Sequence, residues 1–483
     1  MSELRRTAAR SVLWSAFENG SGALIAFLGL VVFAKLLSPS DFGVFSVCLA
    51  VVELAAIFTN MFFHDALIQR HEVTDAHFHA AFTASLALAA IVYALLWLVF
   101  PGVAELVKDG RAADVGRVLG LGLLVTGPAG ILAARQGRNF GFRVLAIRTL
   151  AGRLCGFALG LISLFLGFGL WALVVQQLAV MVLGSAALLV YGAADVRFRV
   201  DVAPIRDLLG YSLASMTSLS TVVVAKRLFV FSAGVFLGTE KAGLLSLAFR
   251  LIDTVWAVSA TAVSQVLLPT LCRLQQDRTR LLNAYRMSLR MALTVLVPAF
   301  AALGVLAPEL VGWLFGSKWV PAAPYMVVLS VLTFVQVPRL PGTLLLSATR
   351  HLKEVSWINV LALAYMAAAI GVTRLPSAYV ALAVWSGGEM LTSLCVAIVL
   401  RQRLGIRLRE QIAVILGPLA APTLMMLSVH VARSALPGGM SALSRLLVLG
   451  LVAVGTYGSF MLAFGRRYLI PILGMARVAL ARH

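Results

Sequence analysis

Long apolar runs alternate with short polar segments along the chain, and Gly, Pro or charged residues mark the ends of the runs. A helix rises ~1.5 Å per residue, so a run of about 20 apolar residues can cross a hydrocarbon core ~30 Å thick. The pattern predicts an all-α polytopic membrane protein with about fourteen transmembrane helices. The predicted spans are 11–37, 42–68, 78–100, 115–134, 146–167, 169–191, 208–237, 242–271, 288–315, 322–347, 355–373, 377–400, 411–433 and 443–464.

The composition agrees with a membrane protein. Hydrophobic residues make up 61% of the 483 residues and charged residues 12%, whereas about 25% of the residues of a soluble domain are charged. The first run, 11–37, is longer than the core of about 7–15 apolar residues in a signal peptide. It is therefore expected to remain as a span.

The distribution of basic residues predicts the topology. The formal net charge is +20, but the cations occur in short clusters between apolar runs rather than on one basic face, so no nucleic-acid partner is expected. With the N-terminus inside, 26 of the forty Lys and Arg residues fall in predicted cytoplasmic segments and nine on the other side. Because Lys and Arg are enriched in cytoplasmic loops, both termini are predicted to be cytoplasmic.

Charged residues interrupt two neighbouring spans, 208–237 and 242–271. The first contains Lys226 and Arg227, and the second contains Arg250 and Asp253 on one helix face. A charge at mid-bilayer costs at least about 2.5–3.5 kcal/mol, so such groups usually face a partner or a wet cavity. The pattern leaves open a functional cavity and simple pairing between helices.

An internal repeat is visible when the chain is shifted by 200 residues. FAKLLSPSDFGVFSV at 33–47 then lies against GVFLGTEKAGLLSL at 234–247, with Gly43 on Gly243. Six predicted spans separate the copies, which predicts two parallel halves.

The repeat divides the chain into three predicted parts. They are an N-terminal six-helix bundle at 1–200, a second six-helix bundle at 201–405, and helices 13 and 14 with a basic cytoplasmic tail at 406–483.

Several segments resemble one family of membrane proteins. The segments, in order from Ala34 to Arg350, are AKLLSPSDFGVFS, ALIQR, FLGTEKAGLLSLAFRL, LLPTLCRLQ, LFGSKWVPAAPYM and LLLSATR. They resemble the Wzx-type lipid-linked oligosaccharide flippases of the multidrug/oligosaccharidyl-lipid/polysaccharide exporter superfamily. The resemblance implies two six-helix bundles around a cavity that opens alternately to each side. Fourteen spans resemble the related lipid II flippases, in which the last two helices form a lipid-holding groove.

The resemblance also implies a function. We expect a flippase, not an enzyme, in the bacterial cytoplasmic (inner) membrane. Its substrate would be an undecaprenyl-diphosphate-linked oligosaccharide, a repeat unit of exopolysaccharide, O-antigen or capsule, carried from the cytoplasmic to the periplasmic leaflet. Expected partners are this glycan, membrane lipids, and polysaccharide polymerase and co-polymerase proteins.

The energy source and two alternative functions remain to be considered. The chain contains no P-loop, so an ion gradient or the membrane potential is expected to drive transport, with no cofactor and with Na+ or H+ coupling open. The first alternative is a multidrug or small-molecule exporter of the same superfamily. The second is a membrane polysaccharide polymerase or glycosyltransferase, which the short outer loops disfavour.

A dianionic diphosphate needs cations in a sheltered cavity, and four basic residues are candidates. Lys226 and Arg227 point ~100° apart on a helix, so one of them is expected to face the cavity, and the planar fork of Arg227 suits phosphate oxygens. Arg250 and Arg339 complete the predicted substrate-binding set. Arg339 lies between Pro338 and Pro341, which are predicted to interrupt a span.

Three acidic residues in spans are candidates for ion coupling, for counter-ions or for helix packing. They are Glu53, Asp253 and Glu389, and the repeat places Glu53 on Asp253. Glu18 and Asn19 are predicted to lie at the cavity mouth.

Two further predictions concern polar and aromatic positions. Many members of the family carry RNLDNLLIG in helix 7, and here Phe229 and Val230 replace its polar pair. Any contact that the family makes through that Asp is not expected in this chain. Glu309, Trp313 and Trp319 are predicted to be interfacial anchors.

Overall fold

The computed structural model of the protein describes residues 20–61, 63–70, 73–138, 142–192, 198, 201–437 and 439–464. Within these ranges the regular structure is helical and contains no strand, which confirms the all-α prediction. The helices of the first half are α1 (Gly20–Leu36), α2 (Pro39–Ala56), α3 (His64–Gln69), α4 (Asp75–Val107), α5 (Arg111–Gly120), α6 (Gly122–Arg138), α7 (Phe142–Phe165), α8 (Trp171–Gly192) and α9 (Val202–Leu237).

The helices of the second half follow after a single residue, Gly238. They are α10 (Thr239–Arg273), α11 (Arg278–Val305), α12 (Ala307–Phe315), α13 (Ala323–Ala348), α14 (Leu352–Thr373), α15 (Ala378–Leu404), α16 (Leu408–Ala435) and α17 (Ala442–Ala463). Among the described residues, twelve helical segments are long and apolar enough to cross a membrane. With α1 and α9 they account for the fourteen predicted spans, and the protein is a multi-pass membrane protein.

The structure corrects three predicted boundaries. The span predicted at 288–315 is two helices, because α11 ends at Val305 and α12 starts after Leu306, with Pro308 in its first turn. The prolines at 338 and 341 do not interrupt a helix, since α13 continues through both. The connection between the predicted spans 208–237 and 242–271 is shorter than expected, because only Gly238, whose φ of 84° suits glycine, separates α9 from α10.

Contacts divide the chain into two compact units. The N-terminal unit comprises Met1–Ser246 with Ile370–Ala378, and the C-terminal unit comprises Leu247–Ala369 with Tyr379–His483. Helix α9 therefore packs with the N-terminal unit. The division at residue 200, which rests on the sequence repeat, stays a prediction.

The start of α2 is held by a polar cluster. Ser38 and Asp41 form a capping box around Pro39, the first residue of the helix. Arg111 donates to Asp41 at 2.7 Å and to Asp109 at 2.8 Å, so it joins the start of α2 to the loop between α4 and α5. The hydrogen bond from Arg111 lowers the pKa of Asp109, which favours the ionised form of this carboxylate.

The two copies of the repeat contact each other inside the N-terminal unit. A Cβ added to Gly43 of α2 would overlap the carbonyl oxygen of Thr239, and a Cβ added to Gly243 of α10 would overlap that of Pro39. Pro39 and Thr239 are 200 residues apart, as are Gly43 and Gly243, so the contact is reciprocal. The hydroxyls of Ser40 and Thr239 lie 3.0 Å apart at the same place. This arrangement supports the register of the sequence repeat.

Glycines bring α7 against α8. Gly152, Gly156 and Gly160 are spaced by four residues on one face of α7. A Cβ on Gly152 would lie 3.0 Å from the Cα of Gly184, and one on Gly156 would lie 2.9 Å from the carbonyl oxygen of Gln176. The close packing fixes the rotation of α7 about its axis.

The last two helices pack on the C-terminal unit. Ala301 of α11, Met425 and Val429 of α16, and Leu449 of α17 belong to one buried cluster. The hydroxyl of Tyr457 donates to the carbonyl oxygen of Thr294 at 2.5 Å. Helices α16 and α17, which correspond to the predicted helices 13 and 14, are therefore joined to α11 by apolar contacts, and α17 is joined to it by a hydrogen bond as well.

Candidate functional site

Two predicted site residues meet between α2 and α9. Arg227 forms a salt bridge through its Nε atom with Oε2 of Glu53. Gly234, seven residues further along α9, packs against Val47 of α2. Because residues seven apart lie on one helical face, the glycine contact aims Arg227 at α2. That Arg227 binds the diphosphate stays a prediction.

The residues next to Arg227 on α9 differ in their exposure. Phe229 is 1% exposed and Val230 is 9% exposed, so the residues that replace the family's polar pair are buried. Lys226, next to Arg227, is partly exposed and has interactions elsewhere in the chain.

A second pair of predicted site residues meets in the C-terminal unit. Arg339 of α13 forms a salt bridge with Glu389 of α15, with Nη2 and Oε2 2.7 Å apart. Gly387 and Gly388 precede the carboxylate, and a Cβ on Gly387 would overlap the ring hydroxyl of Tyr365 of α14. The glycines bring α14 and α15 close together beside the ion pair.

Both pairs have the same chemistry and similar accessibility. The side chains of Arg227 and Glu53 are 29% and 28% exposed, and those of Arg339 and Glu389 are 20% and 17% exposed. A guanidinium group binds phosphate oxygens as readily as carboxylate oxygens. The guanidinium of each pair therefore has the charge and the hydrogen-bond donors that an oxyanion would need.

The remaining predicted site residues are placed as follows. Arg250 and Asp253 lie on α10 as partly exposed side chains, and both have interactions within the chain. The carbonyl oxygen of Arg250 accepts a hydrogen bond of 2.7 Å from Thr254. Glu18 and Asn19, predicted at the cavity mouth, lie outside the described residues.

A bidentate ion pair between α12 and α16 was not predicted from the sequence. Nε and Nη2 of Arg433 on α16 each lie 2.8 Å from a carboxylate oxygen of Glu309 on α12. Glu309 is only 8% exposed and Trp319 is fully buried, so the prediction that both are interfacial anchors is wrong. The signal was present in the sequence, since an acidic residue in the first turn after Pro308 favours a helix start.

We expect Arg433→Ala to destabilise the protein by about 3–5 kcal/mol, because the carboxylate of Glu309 would remain buried without its cation. Thermal unfolding of the purified protein in detergent measures the effect. Arg445→Ala is the control, since Arg445 makes only a 3.4 Å bond to the carbonyl oxygen of Pro437 among the bonds described. Equal unfolding temperatures for the two variants would contradict this prediction.

Comparison with solved structures identifies the fold. The chain is similar to the lipid II flippase MurJ in an inward closed conformation, with a TM-score of 0.73, 13% identity, and coverage of 95% of this chain and 100% of that chain. It is also similar to an inward-facing multidrug resistance MATE family transporter, with a TM-score of 0.60, 17% identity, and coverage of 81% and 98%. The protein has the helical fold of the multidrug/oligosaccharidyl-lipid/polysaccharide superfamily.

Comparison of sequences gives the family. The model of the polysaccharide biosynthesis protein family matches residues 32–324, and the chain belongs to this family. It is 27% identical over 336 residues to the succinoglycan biosynthesis transport protein ExoT of Rhizobium meliloti, covering 69% of this chain and 67% of the relative. It is 23% identical over 373 residues to the lipopolysaccharide biosynthesis protein WzxC of Escherichia coli, covering 72% and 71%.

Proposed function

We propose that this protein is a flippase for a polyprenyl-diphosphate-linked oligosaccharide in the bacterial cytoplasmic membrane. The observation that carries the proposal is the pair of membrane-embedded salt bridges, Arg227 with Glu53 and Arg339 with Glu389. Membership of the polysaccharide biosynthesis family supports it, as do relatives whose names refer to succinoglycan transport and lipopolysaccharide biosynthesis. Polysaccharide polymerase and co-polymerase proteins are the expected partners for the product.

The proposed mechanism is an exchange of anions at fixed arginines. The diphosphate displaces Glu53 from Arg227, or Glu389 from Arg339, and the bidentate guanidinium binds its oxygens. A carboxylate left without its partner in apolar surroundings is costly, so uptake of H+ or Na+ accompanies its release. Return of the carboxylate expels the diphosphate on the other side. No covalent bond forms or breaks.

Deletion of the gene tests the function. We expect complete lipid-linked repeat units to accumulate on the cytoplasmic side of the membrane, since only their transfer is lost. Increased sensitivity to organic cations without such accumulation would instead indicate a multidrug exporter. Unpolymerised repeat units outside the membrane would indicate a polymerase. Either of these results would overturn the proposal.

The proposed direction of transport requires both termini to be cytoplasmic, and labelling tests this orientation. Single cysteines replace Ser317, before α13, and Arg280, near the start of α11, in a cysteine-free background. An impermeant maleimide is expected to label only the cysteine at position 317 in intact cells, because positive residues concentrate at the cytoplasmic side. Labelling at position 280 alone would invert the topology.

A further inference from the structure

Arg153 is a membrane-embedded cation that the proposed exchange does not use. Arg153 lies near the middle of α7, about 16 Å from Phe142 and about 18 Å from Phe165 at ~1.5 Å per residue. Helix α7 belongs to a candidate membrane span, Val144–Phe165. Arg153 is therefore far from both ends of an apolar helix, where a charge costs at least about 2.5–3.5 kcal/mol.

Helix α1 provides a space for this guanidinium. A Cβ added to Gly22 would overlap Nη1 of Arg153, so the group lies directly on the backbone of α1. Gly29, two turns further on, faces the side-chain amide of Gln176 of α8, with Nε2 3.2 Å from an added Cβ. Two glycines on one face of α1 thus make room for two polar groups from α7 and α8.

Arg153 differs from the arginines of the two ion pairs. Arg227 and Arg339 each bind a carboxylate, whereas no hydrogen bond or ion pair joins Arg153 to another residue in the described part of the chain. The side chain is partly exposed, so an oxyanion can reach it. Charged residues inside membrane spans usually face the interior of the helix bundle or a water-filled cavity and mark substrate or ion pathways.

We infer that Arg153 is a further binding residue for the diphosphate of the lipid-linked glycan. This inference rests on the proposed function. An anion can bind to Arg153 without displacing a carboxylate, so this residue binds the diphosphate before the exchange at Arg227. Gly22 is the positioning residue, because any side chain at that position would push the guanidinium away from α1.

Inorganic pyrophosphate is the probe. Its apparent Kd is measured from the thermal stabilisation of the purified full-length protein in detergent, with NaCl at equal ionic strength as the reference. Arg153→Gln is expected to weaken binding by about tenfold to a hundredfold, the effect of losing one charged hydrogen-bonding group. Arg153→Lys is expected to restore part of the affinity, since it keeps the charge and loses the planar fork.

Two glycine variants separate position from charge. Gly22→Ala is expected to weaken pyrophosphate binding although Arg153 is intact. Gly20→Ala is the matched control, because a Cβ at Gly20 meets nothing within 4 Å, and it is expected to bind as the unaltered protein does. Equal affinities for the two glycine variants would contradict the positioning role of Gly22.

Stability without pyrophosphate distinguishes binding from a structural role. Removal of a charge that has no ion-pair partner among the described residues is expected to keep or raise the unfolding temperature of Arg153→Gln. A lower unfolding temperature with unchanged pyrophosphate affinity would show that Arg153 is structural and would overturn the inference.

Arg227→Gln separates the inference from the proposed function. If Arg227→Gln weakens pyrophosphate binding and Arg153→Gln does not, the inference falls and the proposed exchange stands. If only Arg153→Gln weakens it, the inference stands and the role of Arg227 falls. Absence of pyrophosphate binding by the unaltered protein would overturn both.

Discussion

Arg227→Ala is expected to reduce glycan export by about tenfold to a hundredfold or more, while most of the protein remains in the membrane. The loss follows because a guanidinium bound to phosphate oxygens contributes about 1.5–3 kcal/mol. Abundance is expected to fall only modestly, since both side chains of the pair are partly exposed and Glu53 can take up H+ or Na+ in the absence of Arg227. Export is measured from the cell-surface glycan and abundance from membrane immunoblots.

A double variant separates transport from pairing. Arg227→Ala with Glu53→Ala removes both charges, so no carboxylate is left without a partner. We expect it to restore abundance and not export. Recovery of export in the double variant would show that Arg227 is only the counter-ion of Glu53, and the exchange mechanism would fall.

The proposed exchange also predicts the effect of removing only the carboxylate that competes with the diphosphate for Arg227. Glu53→Gln leaves Arg227 without its carboxylate, so pyrophosphate is expected to bind more tightly while export slows, because nothing displaces the bound anion. Tighter binding with lower turnover is a result that loss of folding does not produce.

Arg250 and Asp253 need the same comparison. The membrane abundance and the glycan export of Arg250→Ala are compared with those of the double variant Arg250→Ala with Asp253→Ala. Recovery of both quantities in the double variant would assign Arg250 to Asp253 as its counter-ion. Loss of export in both variants would keep Arg250 in the binding set.

The sequence predicted the helices better than it predicted their ends. Apolar run length finds a membrane helix because the hydrocarbon core sets that length, and the fourteen predicted spans are present as helical segments in the described residues. The break at Leu306 was missed because the sequence around it, ALGVLAPEL, is apolar on both sides. Hydrophobicity does not register a change of helix direction within an apolar run.

Pairing between helices lay beyond the sequence. The repeat placed Glu53 on Asp253, and nothing in the pattern showed that Glu53 would meet Arg227. A helical period gives the face on which a residue lies, but the neighbouring helix depends on three-dimensional packing. Arg153 was not among the residues predicted from the sequence, because the space at Gly22 that accommodates it belongs to another helix.

The glycine contact between the two copies of the repeat predicts a large loss of stability when either glycine is replaced. Gly43→Ala is expected to lower the free energy of unfolding by about 1–3 kcal/mol, the usual effect of overpacking, because its Cβ would overlap the carbonyl oxygen of Thr239. The helix starts must then separate, which also breaks the 3.0 Å contact between the hydroxyls of Ser40 and Thr239. Thermal unfolding in detergent measures the change.

The reciprocal geometry makes this prediction specific. Gly243→Ala is expected to have a similar effect, and the double variant is expected to be hardly less stable than either single variant, because one separation of α2 from α10 relieves both overlaps. Gly102→Ala is the control, since a Cβ there meets nothing within 4 Å and an alanine in a helix stabilises by about 0.4–1 kcal/mol. Additive effects of the two substitutions would mean that the contacts at Gly43 and Gly243 are independent, and the two copies of the repeat would not share one tight contact.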